Sequence, residues 1–436
     1  MDNKKYKTIV HSDELDIKSK ENSTWKNLHS KSWCPIPFNT ISWHPSGVVS
    51  RCMMSAYGMG TSHESDQMVT LRQQMLDGKW DTQGCSNCLQ KEKIGTKSQR
   101  MHWLGNSMMD TLGHPEPYTN PKLRGNNISH LFVNFSNVCN FKCRMCSSNY
   151  SNSLIPEDKH METLFPDEWR VGPEKHQKNF NNINEYLEAN PSVLDGIRQI
   201  WMTGGEPFMD DSPYKLMELI EEYGHPEKVK IVITTNGSKL DFKKLDKFNK
   251  LKRLVLDISI DAFGPMFEYM RSNGVFTWSQ MEETCKTLYF YQAINKDWFN
   301  VQINSSYQIF NYDNMLDFVD FIADHEMESN IRLVMFPRHL RIGNLPDSFK
   351  KEAYTICDKL HAKYYNAKFK DGNIKPKMRH LIEALPDMRR AIDVSETNLQ
   401  SFKNITKEQD KFRGMYLYDY NEKLGELVYG SNPVDK

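Results

Sequence analysis

Three closely spaced cysteines mark the stretch of this chain that is best suited to metal chemistry. Cys139, Cys143 and Cys146 follow the spacing Cys-x3-Cys-x2-Cys in a polar loop after a strand-like segment. Three thiolates on one loop can hold three corners of a cubane iron–sulfur cluster, which usually has four cysteine ligands. One iron would then stay open for another ligand, as in catalytic metal sites. A zinc knuckle is the alternative, although structural zinc sites usually have four ligands in two separated pairs.

Four more cysteines with ligand-like spacing precede this loop. Two flank a predicted hairpin and two form a Cys-x2-Cys at a predicted helix start: Cys34, Cys52, Cys85 and Cys88. Their spacing suits structural zinc or a fully ligated iron–sulfur cluster, and it does not decide between the two. Cys285 and Cys357 stand alone within helical patterns. A lone cysteine in such a pattern is typical of a small core residue.

Composition limits the class of protein. The chain has 436 residues, which predicts two to three domains. Lys plus Arg equals Asp plus Glu, at 56 each, so there is no electrostatic case for bulk binding to nucleic acid or to a membrane. No apolar run approaches the ~20 residues of a membrane span, and the first residues lack the apolar core of a signal peptide. We therefore expect a cytoplasmic protein, in which nine cysteines indicate metal binding or catalysis over disulfides.

Strand-like and helix-like segments alternate after the cysteine loop. The predicted strands cover 131–135, 198–203, 229–234, 253–260, 301–307 and 331–336, and the predicted helices cover 178–188, 214–223, 240–248, 280–291 and 314–323. This alternation predicts an α/β fold with a parallel sheet and right-handed crossovers. Polar motifs follow the strand ends, where the active residues of parallel barrels cluster.

The chain divides into five predicted regions. We expect a polar leader at 1–30, a small cysteine-rich hairpin and helix module at 31–100 and a linker at 101–128. A core at 129–344 and a mostly helical extension at 345–436 follow. Within the module, strands are predicted at 38–43 and 48–53 and a helix at 66–76. A strand-like segment is predicted at 415–420.

The cysteine loop, together with the motif Gly-Gly-Glu-Pro after the next strand, resembles the radical S-adenosylmethionine (SAM) superfamily. The resemblance implies a partial (β/α)6 TIM-like barrel, a [4Fe–4S] cluster on Cys139, Cys143 and Cys146, and SAM bound to the open iron. It also implies a set of SAM-binding residues at successive strand ends: Gly204, Gly205, Glu206, Pro207, Asn236, Ser259, Asp261 and Arg271, with Asn304 a weaker candidate. Met145 departs from the family pattern, which usually has an aromatic residue there, but a thioether can pack similarly.

Residues 31–100 resemble the twitch/SPASM type of auxiliary-cluster module. The resemblance rests on the phrases CPIPF, HPSGVV, RCM and GCSNC. The usual module follows the radical SAM core, whereas this one precedes it. The resemblance implies a second [4Fe–4S] cluster, favoured over zinc, on Cys34, Cys52, Cys85 and Cys88.

The resemblance also implies a reaction. An electron from a flavodoxin- or ferredoxin-type donor would cleave SAM, and the 5′-deoxyadenosyl radical would abstract hydrogen from a substrate. Related enzymes with such modules often modify ribosomally made peptides, so a peptide or protein substrate is favoured. Two alternatives remain. One is radical modification of tRNA or a nucleotide, against which the neutral charge argues, and the other is a non-catalytic zinc-binding scaffold.

Overall fold

The computed structural model describes residues 32–45, 47–53, 55, 58–60, 62–79, 84–93, 98–104, 122, 128–169, 183–325, 327–365, 379–394 and 397–430. The predicted leader at 1–30, most of the predicted linker at 101–128 and the first part of the helix predicted at 178–188 lie outside these residues. No helix within the described ranges is long and apolar enough to span a membrane.

Backbone pairing joins the strands of the described residues in one sheet. The strands are, in chain order, β1 (Thr40–Trp43), β2 (Val49–Ser50), β3 (His130–Asn134), β4 (Gln199–Thr203), β5 (Lys230–Thr235), β6 (Arg253–Ser259), β7 (Phe299–Tyr307) and β8 (Glu328–Leu333). Their order in the sheet is β2-β1-β3-β4-β5-β6-β7-β8. Only the pair β1–β2 is antiparallel, and the other described pairs are parallel. The α/β fold with a mostly parallel sheet is therefore confirmed.

Helices connect the parallel strands and form the carboxyl-terminal region. They are α1 (Ile36–Asn39), α2 (Asp66–Leu76), α3 (Ser86–Lys93), α4 (Gln99–Trp103), α5 (Ile155–Leu164), α6 (Ile183–Ala189), α7 (Ser192–Gly196), α8 (Ser212–Tyr223), α9 (Phe242–Leu245), α10 (Pro265–Phe267), α11 (Trp278–Ile294), α12 (Met315–Asp324), α13 (Asp347–Leu360), α14 (Arg379–Asp393), α15 (Leu399–Arg413) and α16 (Glu422–Tyr429). The core strands lie within three residues of their predicted bounds. The helix predicted at 240–248 is divided into α9 and a 3₁₀ turn, Asp246–Phe248.

The two faces of the sheet differ because successive side chains on a strand point to opposite sides. Leu131, Ile200, Ile231, Leu254 and Ile303 belong to the face that forms the main hydrophobic core with the helices, and all of them are completely buried. The alternate positions carry larger or more polar side chains. Burial of the apolar face is the main contribution of the sheet to stability.

The amino-terminal hairpin continues the core sheet. β1 pairs with β3 in parallel register, from Thr40 opposite His130 to Trp43 opposite Val133. Two predictions for this hairpin are wrong in their bounds. The strand predicted at 38–43 begins only at Thr40, because Ile36–Asn39 form a helical turn that has proline in its first turn. The strand predicted at 48–53 is reduced to Val49–Ser50.

Aromatic side chains hold the amino-terminal region against the sheet. Phe132 and Trp201, neighbours on β3 and β4, stack with ring centroids 4.5 Å apart and an interplanar angle of 8°. Trp103 of α4 packs 5.8 Å from Trp201 and 6.2 Å from Phe132, and its ring meets His130 edge-on at 4.7 Å. This second hydrophobic cluster also contains residues that precede the hairpin in the chain, such as Trp33 and Phe38, and residues that follow it.

Helix α3 carries a charge that interacts with the last strand of the sheet. Burial lowers the pKa of Lys91 on α3, and the charges of Cys88, of Arg332 on β8 and of Asp387 on α14 act on it as well. β2 and β8 are the two ends of the hydrogen-bonded order, and no described pair joins them. The predicted partial barrel therefore stays a prediction.

The carboxyl-terminal region is helical in its described parts, as α13 to α16. The strand-like segment predicted at 415–420 is wrong, because Leu417–Asp419 form a 3₁₀ turn. The amide of Leu417 donates to the Asp410 carboxylate at 2.7 Å, and the amide of Met415 donates to the Asp410 carbonyl at 3.2 Å. These bonds to α15 replace the pairing that a strand would need.

We expect Trp103→Ala to lower the free energy of unfolding by about 3–5 kcal/mol, because it removes a large buried side chain from the aromatic cluster. Phe290→Ala is the matched control, since Phe290 is 64% exposed and its loss should change stability by less than about 0.5 kcal/mol. Urea unfolding followed by fluorescence and circular dichroism measures both variants. An equally mild effect of the two substitutions would contradict the packing of α4 on the sheet.

Candidate functional site

The three cysteines of the loop after β3 face one large cavity. Cys139, Cys143 and Cys146 line a space of about 920 Å³. The loop is shaped locally by a turn in which the amide of Cys146 donates to the carbonyl of Cys143 at 3.0 Å. It is anchored by Phe141, which is completely buried in the main core. Burial raises the pKa of the Cys139 thiol to about 11 and also raises the pKa values of Cys143 and Cys146. Metal binding would therefore have to displace these protons.

Residues from the ends of three further strands line the same cavity. The predicted SAM-binding residues that the structure brings together with the three cysteines are Gly204, Gly205, Asn236, Ser259 and Arg271. Met145 is part of this wall too. Four predicted residues do not line the cavity: Glu206, Pro207, Asp261 and the weaker candidate Asn304. The carboxyl ends of parallel strands meet at one edge of the sheet, which explains why residues far apart in sequence converge.

The two glycines after β4 are required by the backbone. Gly204 and Gly205 have φ values of 79° and 58°, which other residues rarely adopt. A Cβ atom on Gly204 would lie 2.7 Å from Oδ1 of Asn134, and one on Gly205 would lie 2.5 Å from the carbonyl oxygen of Val138. The amide of Gly205 donates to the carbonyl of Tyr150 at 3.0 Å. The turn therefore packs directly on the cysteine loop.

Glu206 points into the protein. Its side chain accepts hydrogen bonds from the hydroxyl of Thr235 and the backbone amide of Asn236, both at 2.6 Å, and from the amide of Phe208 at 3.2 Å. Burial raises the pKa of the Glu206 carboxyl, although these hydrogen bonds lower it. Pro207 opens a 3₁₀ turn, Pro207–Met209. Glu206 thus fixes the end of β5 and the backbone of Asn236.

The Asn236 side chain connects β5 to the cysteine loop. Its Nδ2 donates to Oδ1 of Asn140 at 2.9 Å and lies 3.9 Å from Sγ of Cys139. Its Oδ1 accepts from the amide of Ser238 at 3.0 Å, and Ser238 Oγ in turn accepts from Nδ2 of Asn140 at 2.9 Å. These contacts hold the amide group at the wall of the cavity.

Arg271 is oriented by Asp261. Its Nε donates to Oδ2 of Asp261 at 2.6 Å, and its Nη1 lies 3.8 Å from Sγ of Cys143. Asp261 is completely buried and also accepts from the amide of Ser306 at 2.7 Å. Burial lowers the pKa of Arg271, but Asp261 and Cys143 raise it by more than burial lowers it. The net effect is a raised pKa, so the guanidinium stays charged beside the thiols. Asp261 therefore acts through Arg271 and not at the cavity surface.

A buried ion pair that sequence reasoning missed holds the cysteine loop. Arg144 lies between the second and third cysteines, and its Nη2 is 2.6 Å from Oδ1 of Asp410 on α15, with neither side chain exposed. The guanidinium also lies 3.6 Å from the ring centroid of Tyr269, whose hydroxyl donates to Asp410 at 2.9 Å. Burial lowers the pKa of Arg144, whereas Tyr269 and Asp410 raise it more. No local pattern joins residues so far apart in the chain.

A second ion pair links α15 to the same region. Nε and Nη2 of Arg413 are each 2.8 Å from an oxygen of Glu157 on α5. Nη1 of Arg413 donates to the carbonyl of Lys142 in the cysteine loop at 2.6 Å, and Gln409 donates to Glu157 at 2.8 Å. Both ionic side chains are 1% exposed. Helix α15 therefore clamps the cysteine loop through two buried charge pairs, which we call the α15 clamp (Arg144–Asp410 and Arg413–Glu157).

The four amino-terminal cysteines are also brought together. They line a small cavity of about 30 Å³ beside two guanidinium groups, Arg51 and Arg100: Cys34, Cys52, Cys85 and Cys88. Burial raises the pKa of Cys34 well above its usual value, and the three other cysteines raise it further. Arg100 forms an ion pair with Glu92 at 2.6 Å. Across the described ranges, no three His, Cys, Asp or Glu side chains are arranged to hold a single metal ion.

The middle part of the chain matches a known protein family. Residues 133–290 match the family model of the Radical SAM superfamily. A GTP 3′,8-cyclase of Clostridium perfringens (strain 13 / Type A) is 26% identical over 207 residues, which cover 47% of this chain and 54% of that protein. A GTP 3′,8-cyclase of Campylobacter jejuni subsp. jejuni serotype O:6 is 30% identical over 139 residues, 32% of this chain and 36% of that protein. The chain thus spans about half or less of these curated relatives.

Two solved structures match about half of this chain. Streptococcus suis SuiB bound to precursor peptide SuiA has a TM-score of 0.33 and 16% identity, covering 47% of this chain and 39% of that one. Native anSMEcpe with bound AdoMet has a TM-score of 0.40 and 17% identity, covering 56% of this chain and 62% of that one. The family match supports an enzyme that binds SAM and a [4Fe–4S] cluster.

We expect Asp410→Asn to lower the free energy of unfolding by about 3–5 kcal/mol, because it leaves the buried Arg144 charge without its counter-charge. Asp211→Asn is the matched control, since Asp211 pairs with Lys244 at 3.0 Å on the surface and such pairs contribute about 0–1 kcal/mol. Urea unfolding measures both.

The double variant Arg144→Met with Asp410→Leu should be less destabilised than Asp410→Asn, since it removes both charges together. Equal stability of Asp410→Asn and Asp211→Asn would contradict a stabilising role for the α15 clamp.

Proposed function

We propose that this protein, whose residues 133–290 match the Radical SAM superfamily, is a radical SAM enzyme that modifies a peptide or protein. One observation carries the proposal. The three cysteines of the loop, four residues from successive strand ends and Arg271 line one cavity of about 920 Å³. Ligand pockets commonly range from about 300 to 1,000 Å³, so the cavity has room for a ligand of the size of SAM.

The residues present fit a [4Fe–4S] cluster. Three thiols on one loop supply three ligands and leave one iron for SAM. The charged guanidinium of Arg271, 3.8 Å from Sγ of Cys143, would balance part of the negative charge that deprotonated thiols bring. Cys139, Cys143 and Cys146 would therefore hold the cluster, and the α15 clamp would keep their loop in place.

Cys139, Cys143 and Cys146 would hold a cluster that, when bound, would pass one electron from the external donor to SAM, so that SAM would divide into methionine and a 5′-deoxyadenosyl radical able to take a hydrogen atom from the substrate. The residues of the protein itself would bind SAM and orient it. The backbone carbonyl oxygens of Gly204 and Gly205 would accept hydrogen bonds from the SAM ammonium group, and Asn236 and Ser259 would present polar groups to the rest of the molecule. Arg271 would meet the SAM carboxylate with the edge of its guanidinium that Asp261 does not use. Trp169 is a bulky apolar part of the wall and would exclude water.

A second [4Fe–4S] cluster on Cys34, Cys52, Cys85 and Cys88 belongs to this proposal, with residues 31–100 as a twitch/SPASM-like module. The four thiols share one cavity with Arg51 and Arg100, whose positive charges would favour thiolates. Zinc with the same four ligands is the competing group. A flavodoxin- or ferredoxin-type electron donor and a cytoplasmic location complete the proposal.

A nucleotide is the second candidate for the substrate, after a peptide. The balance of 56 basic and 56 acidic residues argues against a polyanionic substrate such as tRNA. The curated relatives are named GTP 3′,8-cyclases, which favours a nucleotide as the second candidate substrate. Loss of GTP during turnover of the reduced protein, followed by chromatography, would favour this second candidate over a peptide.

We expect Cys143→Ala to abolish cleavage of SAM to 5′-deoxyadenosine in anaerobically reconstituted protein reduced with dithionite, because it removes a cluster ligand. Cys285→Ala is the matched control, since Cys285 lies on α11 in the hydrophobic core, and it should keep this activity. Liquid chromatography of 5′-deoxyadenosine measures both variants. Wild-type protein that binds zinc, shows no iron–sulfur absorption and leaves SAM intact would instead indicate the zinc-binding scaffold.

The iron content tests the second cluster separately. The reconstituted wild-type chain should hold roughly eight irons, and Cys85→Ala should reduce this to roughly four if the amino-terminal cluster is lost. Cys357→Ala is the control, because Cys357 is a buried residue of α13. Four irons and one zinc in the wild-type chain would show that the amino-terminal group is zinc.

A further inference from the structure

A smaller cavity adjoins the large one. It measures about 150 Å³ and lies at the carboxyl ends of β1, β3 and β4. Tyr150 and Thr203 line both cavities, so the two share a wall. Met53, the residue after Cys52, also lines it. The smaller cavity therefore has walls from the amino-terminal hairpin region and from residues that line the large cavity.

One buried hydroxyl of the smaller cavity has no partner. Ser42 on β1 is 2% exposed, and its Oγ has no hydrogen-bond partner among the described residues. A buried polar group of this kind costs free energy unless a ligand or a water satisfies it. Beside it, the Thr203 hydroxyl donates to Oδ1 of Asn134. The cavity thus contains a polar side made of Ser42, Asn134 and Thr203.

The rest of the wall carries no permanently charged side chain. Phe132, stacked on Trp201, supplies an apolar face. Among the described residues that line the smaller cavity there is no Asp, Glu, Lys or Arg, and the imidazole in the wall is that of His44. A phosphate or carboxylate would be buried there with no permanently positive side chain beside it, which is unfavourable. The volume equals that of roughly five water molecules, which suits a small neutral group.

We propose that this smaller cavity is a substrate subsite that takes an uncharged hydrogen-bonding group, such as the carboxamide of a peptide substrate. The inference rests on the proposed function, because it assigns part of the same substrate. The Ser42 hydroxyl and the Asn134–Thr203 pair would bond the amide, and Phe132 would contact its apolar part. A substrate held in this way extends from the large cavity toward Cys52. This chemistry favours a peptide over a phosphorylated nucleotide.

Binding of small probes to the full chain tests the subsite. Ligand-observed NMR compares propionamide with propionate, which has the same shape and a charge, and with inorganic phosphate. We expect millimolar binding of propionamide, and binding of propionate and phosphate at least about tenfold weaker. Ser42→Ala should weaken propionamide binding at least about fivefold, because it removes the hydroxyl and adds no bulk to the cavity. Ser279→Ala, at an exposed position of α11, should leave it unchanged.

Several outcomes would overturn the subsite. These are equal propionamide binding by the wild type and Ser42→Ala, no propionamide binding, or preferred binding of propionate or phosphate. Thermal unfolding verifies that Ser42→Ala folds, and if it does not, the comparison of the three probes on the wild-type protein still decides. SAM cleavage by the same wild-type preparation tests the proposed function independently. A protein that binds propionamide through Ser42 without cleaving SAM would retain the subsite and lose the proposed function.

Discussion

The buried pair of Arg144 and Asp410 is the constraint on which the site depends. A guanidinium and a carboxylate with no exposed surface must stay together, since either one alone would be a buried unpaired charge. Arg144 belongs to the cysteine loop and Asp410 to α15, near the far end of the chain. The loop therefore reaches its final shape only when the carboxyl-terminal helices have folded onto the core. The carboxyl-terminal region therefore helps to hold the cysteine loop in its final shape.

The features predictable from sequence are those with a local cause. Alternating strands and helices predict the parallel sheet. The resemblance to the radical SAM superfamily implies the strand-end residues, and of these Gly204 and Asn236 line the large cavity. The wall of the cavity follows from the topology, because parallel strands end at one edge. Side-chain direction within that edge was less predictable. Glu206 belongs to the same motif as the glycines, yet its carboxylate turns inward to Thr235.

What sequence could not predict depends on contacts between distant segments. The α15 clamp has no periodicity or spacing that would reveal it. The segment at 415–420 is strand-like in sequence, but the amides of Met415 and Leu417 bond to Asp410. The amino-terminal hairpin was expected as a module of its own, and its β1 pairs with β3 along Thr40 to Trp43. Local propensity is overridden in each case by long-range hydrogen bonds or charges.

The aromatic cluster couples the amino-terminal region to the smaller cavity. Trp103, Phe132 and Trp201 pack on one another, and Phe132 is also part of the wall of that cavity. Protein interiors are close-packed, so a change of volume at one ring is felt by its neighbours. A substitution at Trp103 would therefore alter the shape of the smaller cavity through Phe132, although Trp103 does not line it.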